Sequence, residues 1–147
     1  MPQSGAAADP FHLQRFLHAQ TSIYDQAHAE LAAGQKRSHW MWFIFPQIQG
    51  LGFSPMAQRF AITGLAEARS YLAHPVLGSR LRECTNLVNT TQDRSIEQIF
   101  GYPDHLKFHS SITLFAKTAE PQEVNPFTAA VDRYFAGKLD LATLSRL

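Results

Sequence analysis

Two short stretches hold most of the residues that could do chemistry. "HWMWFIFPQ", residues 39–47, sets a histidine and a glutamine at the two ends of an aromatic run. "PDHLKFHSSITLF", residues 103–115, sets Asp104, Lys107, Ser110 and Ser111 beside Phe108, Ile112 and Phe115. If Asp104 caps a helix here, Lys107 and Ser111 fall on one stripe, and Ser110 lies one turn after Lys107. An ammonium and one or two hydroxyls along a helix edge can hold a phosphate or a carboxylate. His39 and Asp104 are the candidate acid or base. Trp40, Trp42 and Phe45 are candidate aromatic walls, and Gln47 can both donate and accept hydrogen bonds. The competing reading of 103–115 is a solvated helix face whose serines bond back to the preceding turn.

Between the two stretches, "IQGLGFSP" carries Gly50 and Gly52 into a Ser-Pro helix start. Such a loop can let an anion approach the backbone and present N–H groups to it. It can equally be a tight connection. Gly-x-Gly alone lacks the rest of any dinucleotide or P-loop pattern, so no cofactor is expected. His105 and His109 have the spacing of helical zinc ligands, but the intervening Leu-Lys-Phe places a cation between them and supplies no glutamate base. No metal is expected. Asp93 and Glu97 are further carboxylates with no spacing that pairs them, and no Gly-x-Ser-x-Gly elbow occurs. Cys84 sits one helical turn from Leu81, Leu87 and Val88 and reads as a core thiol. As a nucleophile it would need a partner that lowers its pKa.

Composition bounds the partners. The chain has 147 residues, 45% hydrophobic and 17% charged, which is the make-up of one globular domain. A domain of that size buries roughly 68–70% of its unfolded surface and needs no disulfide or metal to fold. A net charge of +1 gives no polybasic signal, so neither nucleic acid nor a membrane surface is an expected partner. A small-molecule ligand held by one or two local cations remains open. The lone cysteine fits a reducing cytoplasm. The longest apolar run, Trp40 to Phe45, falls far short of the roughly 20 residues of a membrane helix. "MPQSGAAAD" has no secretory pattern. Residues 1–8, small and polar, are expected to form a flexible tail before a single domain over 9–147.

The elements that must position these residues read as helix after helix. Asp9-Pro10, Ser54-Pro55 and Asn125-Pro126 are N-caps followed by proline at the first helical position, and His74-Pro75 is a weaker version. Ser95 and Gln98 have capping-box spacing. Gly34, Gly101 and Gly137 stand where helices stop. Between these marks the apolar residues recur at three or four positions, as in Leu77, Leu81, Cys84 and Val88 or Phe127, Val131 and Tyr134. Nothing alternates long enough for a sheet. The chain is therefore expected to be all-α, a single domain of about seven to nine short helices around an aromatic central helix. That central helix starts at Ser38 and ends near Pro46, because proline disfavours helix in the residue before it. Being apolar all round, it should be buried all round. The polar groups of the two stretches lack partners within their own segments. The turn from Gln47 to Ser54 is therefore expected to face the start of the 104–115 helix, with one pocket between them.

"KRSHWMWFIFPQIQGLGFSPMAQRFAI", "LGSRLREC" and "IFGYPDHLKFHSSITLF" resemble the bacterial domain-of-unknown-function 1810 family, over about Phe11 to Phe135. His109 departs from the resemblance, where a longer or basic side chain is expected. The resemblance implies a compact helical fold and a bacterial, cytoplasmic origin, and it implies no reaction. Some relatives carry a calpastatin label, which suits long disordered inhibitors rather than a packed domain. Two functions stay open. One is an enzyme acting on a small nucleotide-like or phosphorylated molecule in an aromatic-walled pocket. The other is a non-catalytic ligand-sensing or protein-interaction module. Convergent ionisable groups in a cleft favour the first, and an exposed apolar patch favours the second.

Overall fold

Side-chain caps set four of the described helix starts. The computed structural model describes residues 9–120 and 122–147, and the expected tail over 1–8 lies outside them. The described residues form ten helices: α1 Gln14–Thr21, α2 Tyr24–Ala32, α3 Met41–Ile44, α4 Pro55–Arg59, α5 Leu65–Ala73, α6 Leu77–Thr90, α7 Ile96–Phe100, α8 Asp104–Thr118, α9 Pro126–Phe135 and α10 Leu141–Leu144. The all-α class is as expected. The count exceeds seven to nine because α3 and α10 are single turns of four residues each. The Ser54 hydroxyl accepts from the Ala57 N–H, the Asn125 side chain accepts from the Thr128 N–H, and Ser95 with Gln98 closes a capping box. Gly34, Gly101 and Gly137 stop their helices at φ of 78°, 79° and 76°, a left-handed backbone that costs glycine least.

Four starts differ from the sequence expectation. At His74-Pro75 the ring Nδ1 accepts from the Val76 and Leu77 N–H groups, but the helix begins at Leu77, two residues after the proline. The Asp9 carboxylate accepts from the N–H groups of Leu13 and Gln14 at 2.7 and 3.0 Å. The regular helix nevertheless waits until Gln14, because His12 sits at φ 54°. Ser38 does not cap α3; its hydroxyl donates to Glu30 at 2.6 Å instead. Asp104 does not cap α8 either, since Pro103 holds that position and Asp104 is the first helical residue.

The longest helix, α8, runs through the middle and packs against α3, α5, α7, α9 and α10. Its Phe108, Ile112, Leu114 and Phe115 are buried. The aromatic turn α3 lies between α1 and α8. Phe45 just after it meets Phe108 edge-on at 5.0 Å and Phe100 edge-on at 5.8 Å. Such edge-to-face pairs add about 0.5–1.5 kcal/mol beyond burial. The chain after α3 is pinned by an isolated parallel bridge, in which the Ile62 N–H donates to Gln47 O and the Gln49 N–H to Ile62 O, both at 2.8 Å. That bridge fixes the loop leading to Ser54 on the face beside α8. Among the described residues no helix is long and apolar enough to cross a membrane.

Candidate functional site

The loop after the bridge and the first two turns of α8 face each other across a cleft of about 510 Å³. Gln47, Gly52, Phe53 and Ser54 line one side, Pro103, Leu106, Lys107, His109 and Ser110 the other, and Asp140 with Ala142 closes an end. The expected convergence of Gln47 with Lys107 is thus present, and Ser110 joins them. The volume lies in the usual range of small-molecule sites.

Lys107 is held from two sides. Its ammonium lies 5.5 Å from the ring centre of Trp42 and 3.6 Å from one carboxylate oxygen of Asp104. The other Asp104 oxygen pairs at 2.8 Å with Lys36, whose side chain is only 7% exposed. Lys36 in turn lies over the Trp40 ring at 5.1 Å and donates to Ser38 O at 2.5 Å. Two lysines therefore share one carboxylate, each against a tryptophan face, where a cation is favoured by the ring quadrupole. Lys36 is the closer of the two and its side chain the less exposed, and two ammonium groups against one carboxylate leave a net positive charge beside the cleft.

Asp140 is the opposing group. Its Oδ2 accepts from the Ser110 hydroxyl at 2.9 Å, the Thr143 hydroxyl at 2.6 Å and the Thr143 N–H at 3.2 Å. The Asp140 N–H is bonded to the Thr113 hydroxyl oxygen at 3.0 Å. These bonds fasten α10 to α8 and fix Ser110 at the cleft. The His109 ring stacks on Phe135 at 3.8 Å, and its Nε2 donates to Lys138 O at 2.7 Å. The two histidines spaced for zinc have thus gone separate ways, His105 to Gly101 O at 3.3 Å.

Several sequence candidates lie elsewhere. Trp40 and Phe45 do not wall the cleft; both are fully buried in the core. Trp40 Nε1 donates to Glu30 at 2.9 Å, which satisfies the indole without a ligand. His39 is exposed and does not line the cleft. Asp104 is committed to its two lysines and is absent from the lining. Ser111 is buried, with its hydroxyl unpartnered, and faces away from the lining. Trp42 stands behind Lys107, beside a void of about 10 Å³ under the loop, about the least space that admits one water. The first N–H groups of α4 offer little to an anion, because Ser54 already caps Ala57.

The two glycines also have packing reasons. Gly50 has φ 94°, and a Cβ there would come within 2.3 Å of the Arg146 guanidinium. At Gly52 a Cβ would meet the Ala57 Cβ at 2.7 Å. Residues that sequence reasoning missed are Lys36, Asp140 and Arg146, and His109, weighed there as a zinc ligand, lines the cleft instead. Only Asp140 left a local trace, the Asp-x-x-Thr spacing of an N-cap with its N3 residue. Cys84 is the core thiol expected: burial pushes it up to about 12, with Glu83 adding to the rise, so it holds no thiolate near neutrality.

The chain is 52% identical to the conserved hypothetical protein Rv1873 from Mycobacterium tuberculosis, over 95% of this chain and 98% of that one, and its fold superposes on that crystal structure with a TM-score of 0.91. No curated protein matches. The sequence profile of a protein of unknown function, DUF1810, matches residues 10–147, which includes every residue of the cleft. The chain belongs to the DUF1810 family.

Proposed function

We propose that the cleft binds a small anionic molecule, of the phosphorylated or nucleotide-like type, and that the protein acts on it as an enzyme. The observation that carries this reading is the pair of lysines sharing Asp104, which leaves Lys107 as a preoriented cation beside the Gln47 amide. A charged donor with neutral hydrogen-bonding groups in a concave site suits an oxyanion, and the apolar Leu51, Phe53 and Leu106 suit the body that bears it. Proton transfer in such a site falls to Asp140 or His109, the ionisable groups besides Lys107 that line it, rather than to His39.

The test is Lys107→Gln against a panel of nucleoside monophosphates and sugar phosphates, read by calorimetry. Loss of a charge-assisted bond should weaken binding about tenfold or more. The melting temperature should hardly move, because a part-exposed ion pair at this spacing contributes about 0–1 kcal/mol. Failure of every phosphorylated probe to bind the wild-type chain would sink the proposal.

A second reading is supported by the rim. Phe53, Tyr102, Leu106 and Leu141 are 80%, 78%, 47% and 79% exposed, and each lines the cleft or adjoins a residue that does. Exposed apolar side chains gathered in one place suit a protein partner. Under that reading Phe53→Ser with Leu141→Ser abolishes association with the partner, whereas Lys107→Gln leaves it intact.

A further inference from the structure

The loop that forms one wall of the cleft has a second side. Beyond Gly52 and Phe53, a recess of about 470 Å³ opens between the loop, α4 and the residues after α10, lined by Gln49, Gly50, Gln58 and Arg146. The two depressions share Gly52 and Phe53, so the exposed Phe53 ring stands on the ridge between them. Each therefore holds a cation: Lys107 on one side, Arg146 on the other.

Arg146 is placed by backbone, not by charge. The Gly50 position leaves no room for a Cβ, which would approach the guanidinium nitrogen to 2.3 Å and its central carbon to 2.6 Å. The guanidinium thus lies against the bare Cα of Gly50. The carboxylates at the starts of α10 and α8 are engaged elsewhere: Asp140 by Ser110 and Thr143, and Asp104 by the two lysines. Among the described residues the Arg146 side chain makes no ion pair or hydrogen bond, so its planar fork of donors is free for an oxyanion. A side chain at position 50 would push it aside, so Gly50 serves this placement as well as the turn.

We propose that Arg146 is a second anion-binding residue of the same site, and that the ligand is a small organic bis-anion with a planar body. One anionic group meets Lys107 and Gln47, the other meets Arg146, and the planar body covers Phe53. The proposal rests on the reading of the cleft as an anion site. Two anchors on one rigid ligand make the second contact intramolecular, which raises affinity without any new kind of contact. Arginine suits the second position because its bidentate fork matches a phosphate or carboxylate.

Two probes separate the possibilities: inorganic phosphate, a single anion, and adenosine 3′,5′-bisphosphate, two anionic groups on a body with a planar base. Both are titrated into the full chain by calorimetry, and amide resonances of Gly50 to Phe53 are followed in parallel. The bisphosphate should bind about tenfold to a hundredfold more tightly than phosphate. Arg146→Gln should remove that advantage and leave phosphate binding unchanged, and Arg146→Lys should restore only part of it. If Arg146→Gln changes neither probe while Lys107→Gln weakens both, Arg146 is no ligand-binding residue and the cleft reading stands. If Lys107→Gln changes neither probe, or neither binds the wild-type chain, the cleft reading fails and this inference fails with it.

Discussion

Glu30 shows how one residue can hold a segment whose own sequence says nothing of it. Its Oε1 accepts from the Arg37 and Ser38 N–H groups and from Trp40 Nε1, and its Oε2 from the Ser38 hydroxyl and the Gln26 amide, at 2.6–3.1 Å. Burial pushes the carboxyl up, but these donors, Ser38 and Arg37 foremost, outweigh it and hold it at about 2 against an ordinary 4.5. Since the folded value is the lower one, the stability is fully present above about pH 4.5 and drains away as pH falls toward 2. The difference is worth on the order of 3 kcal/mol. Glu30→Gln should lower the neutral-pH unfolding free energy by about that amount and flatten its dependence on pH between 5 and 2, as urea titrations across that range would record. An unchanged acid slope would mean that Glu30 titrates normally. Gly50→Ala makes a second residue-scale case. The φ of 94° strains any side chain, at about 1–2 kcal/mol, and the Cβ displaces Arg146. A thermal melt matching wild type would show that neither constraint acts.

At the scale of elements, the aromatic turn and α10 behave differently. Within α3 and its flanks the side chains divide by burial: Trp40 and Phe45 are fully enclosed, and Trp42 is half-buried under Lys107. Sequence alone put Trp42 in the core. The structure moves the larger stability cost to its neighbour. Trp40→Ala should cost about 3–5 kcal/mol and lower the melting temperature by roughly 10–20 °C, whereas Trp42→Ala should cost distinctly less and disturb the cleft more. Equal losses in two parallel melts would contradict that division. The short helix α10 depends on Asp140 for its cap and for its attachment to α8. Asp140→Ala should cost about 1–2 kcal/mol and speed amide exchange at Thr143 well before it affects α8. Unchanged exchange there would mean that apolar packing alone holds α10.

For the whole molecule, α8 is the shared partner of α3, α5, α7, α9 and α10, and α6 with α9 packs on the same core. No described segment has a core of its own. Heat or denaturant should therefore unfold the chain in one transition, with tryptophan fluorescence and far-ultraviolet dichroism coinciding. Two separated transitions would show that α10 and the loop before α4 open independently of the core. That outcome would also bear on function, because those two segments supply the walls of the cleft opposite α8.

The sequence by itself determined what is decided within a few residues. Ser54, Ser95 and Asn125 cap where the pattern says, Gly34, Gly101 and Gly137 stop helices with a left-handed backbone, and helical spacing alone establishes an all-α core. Capping and periodicity are local, so one strand of text carries them. It also held enough to bring Gln47 opposite Lys107, since unpartnered polar groups beside aromatic stripes must meet something. Only the tertiary structure decided which cations and carboxylates pair. Lys36 reaches Asp104, Ser110 reaches Asp140, and Arg146 lies on Gly50, each across a long stretch of chain. Those meetings depend on how helices cross and on the Ile48–Ile62 bridge that turns the loop toward α8. Helical periodicity fixes which face is buried but not what that face will find. For that reason the sequence took Trp40, Phe45 and His39 as a site, and the fold put two of them into the core and the third at the surface, outside the cleft.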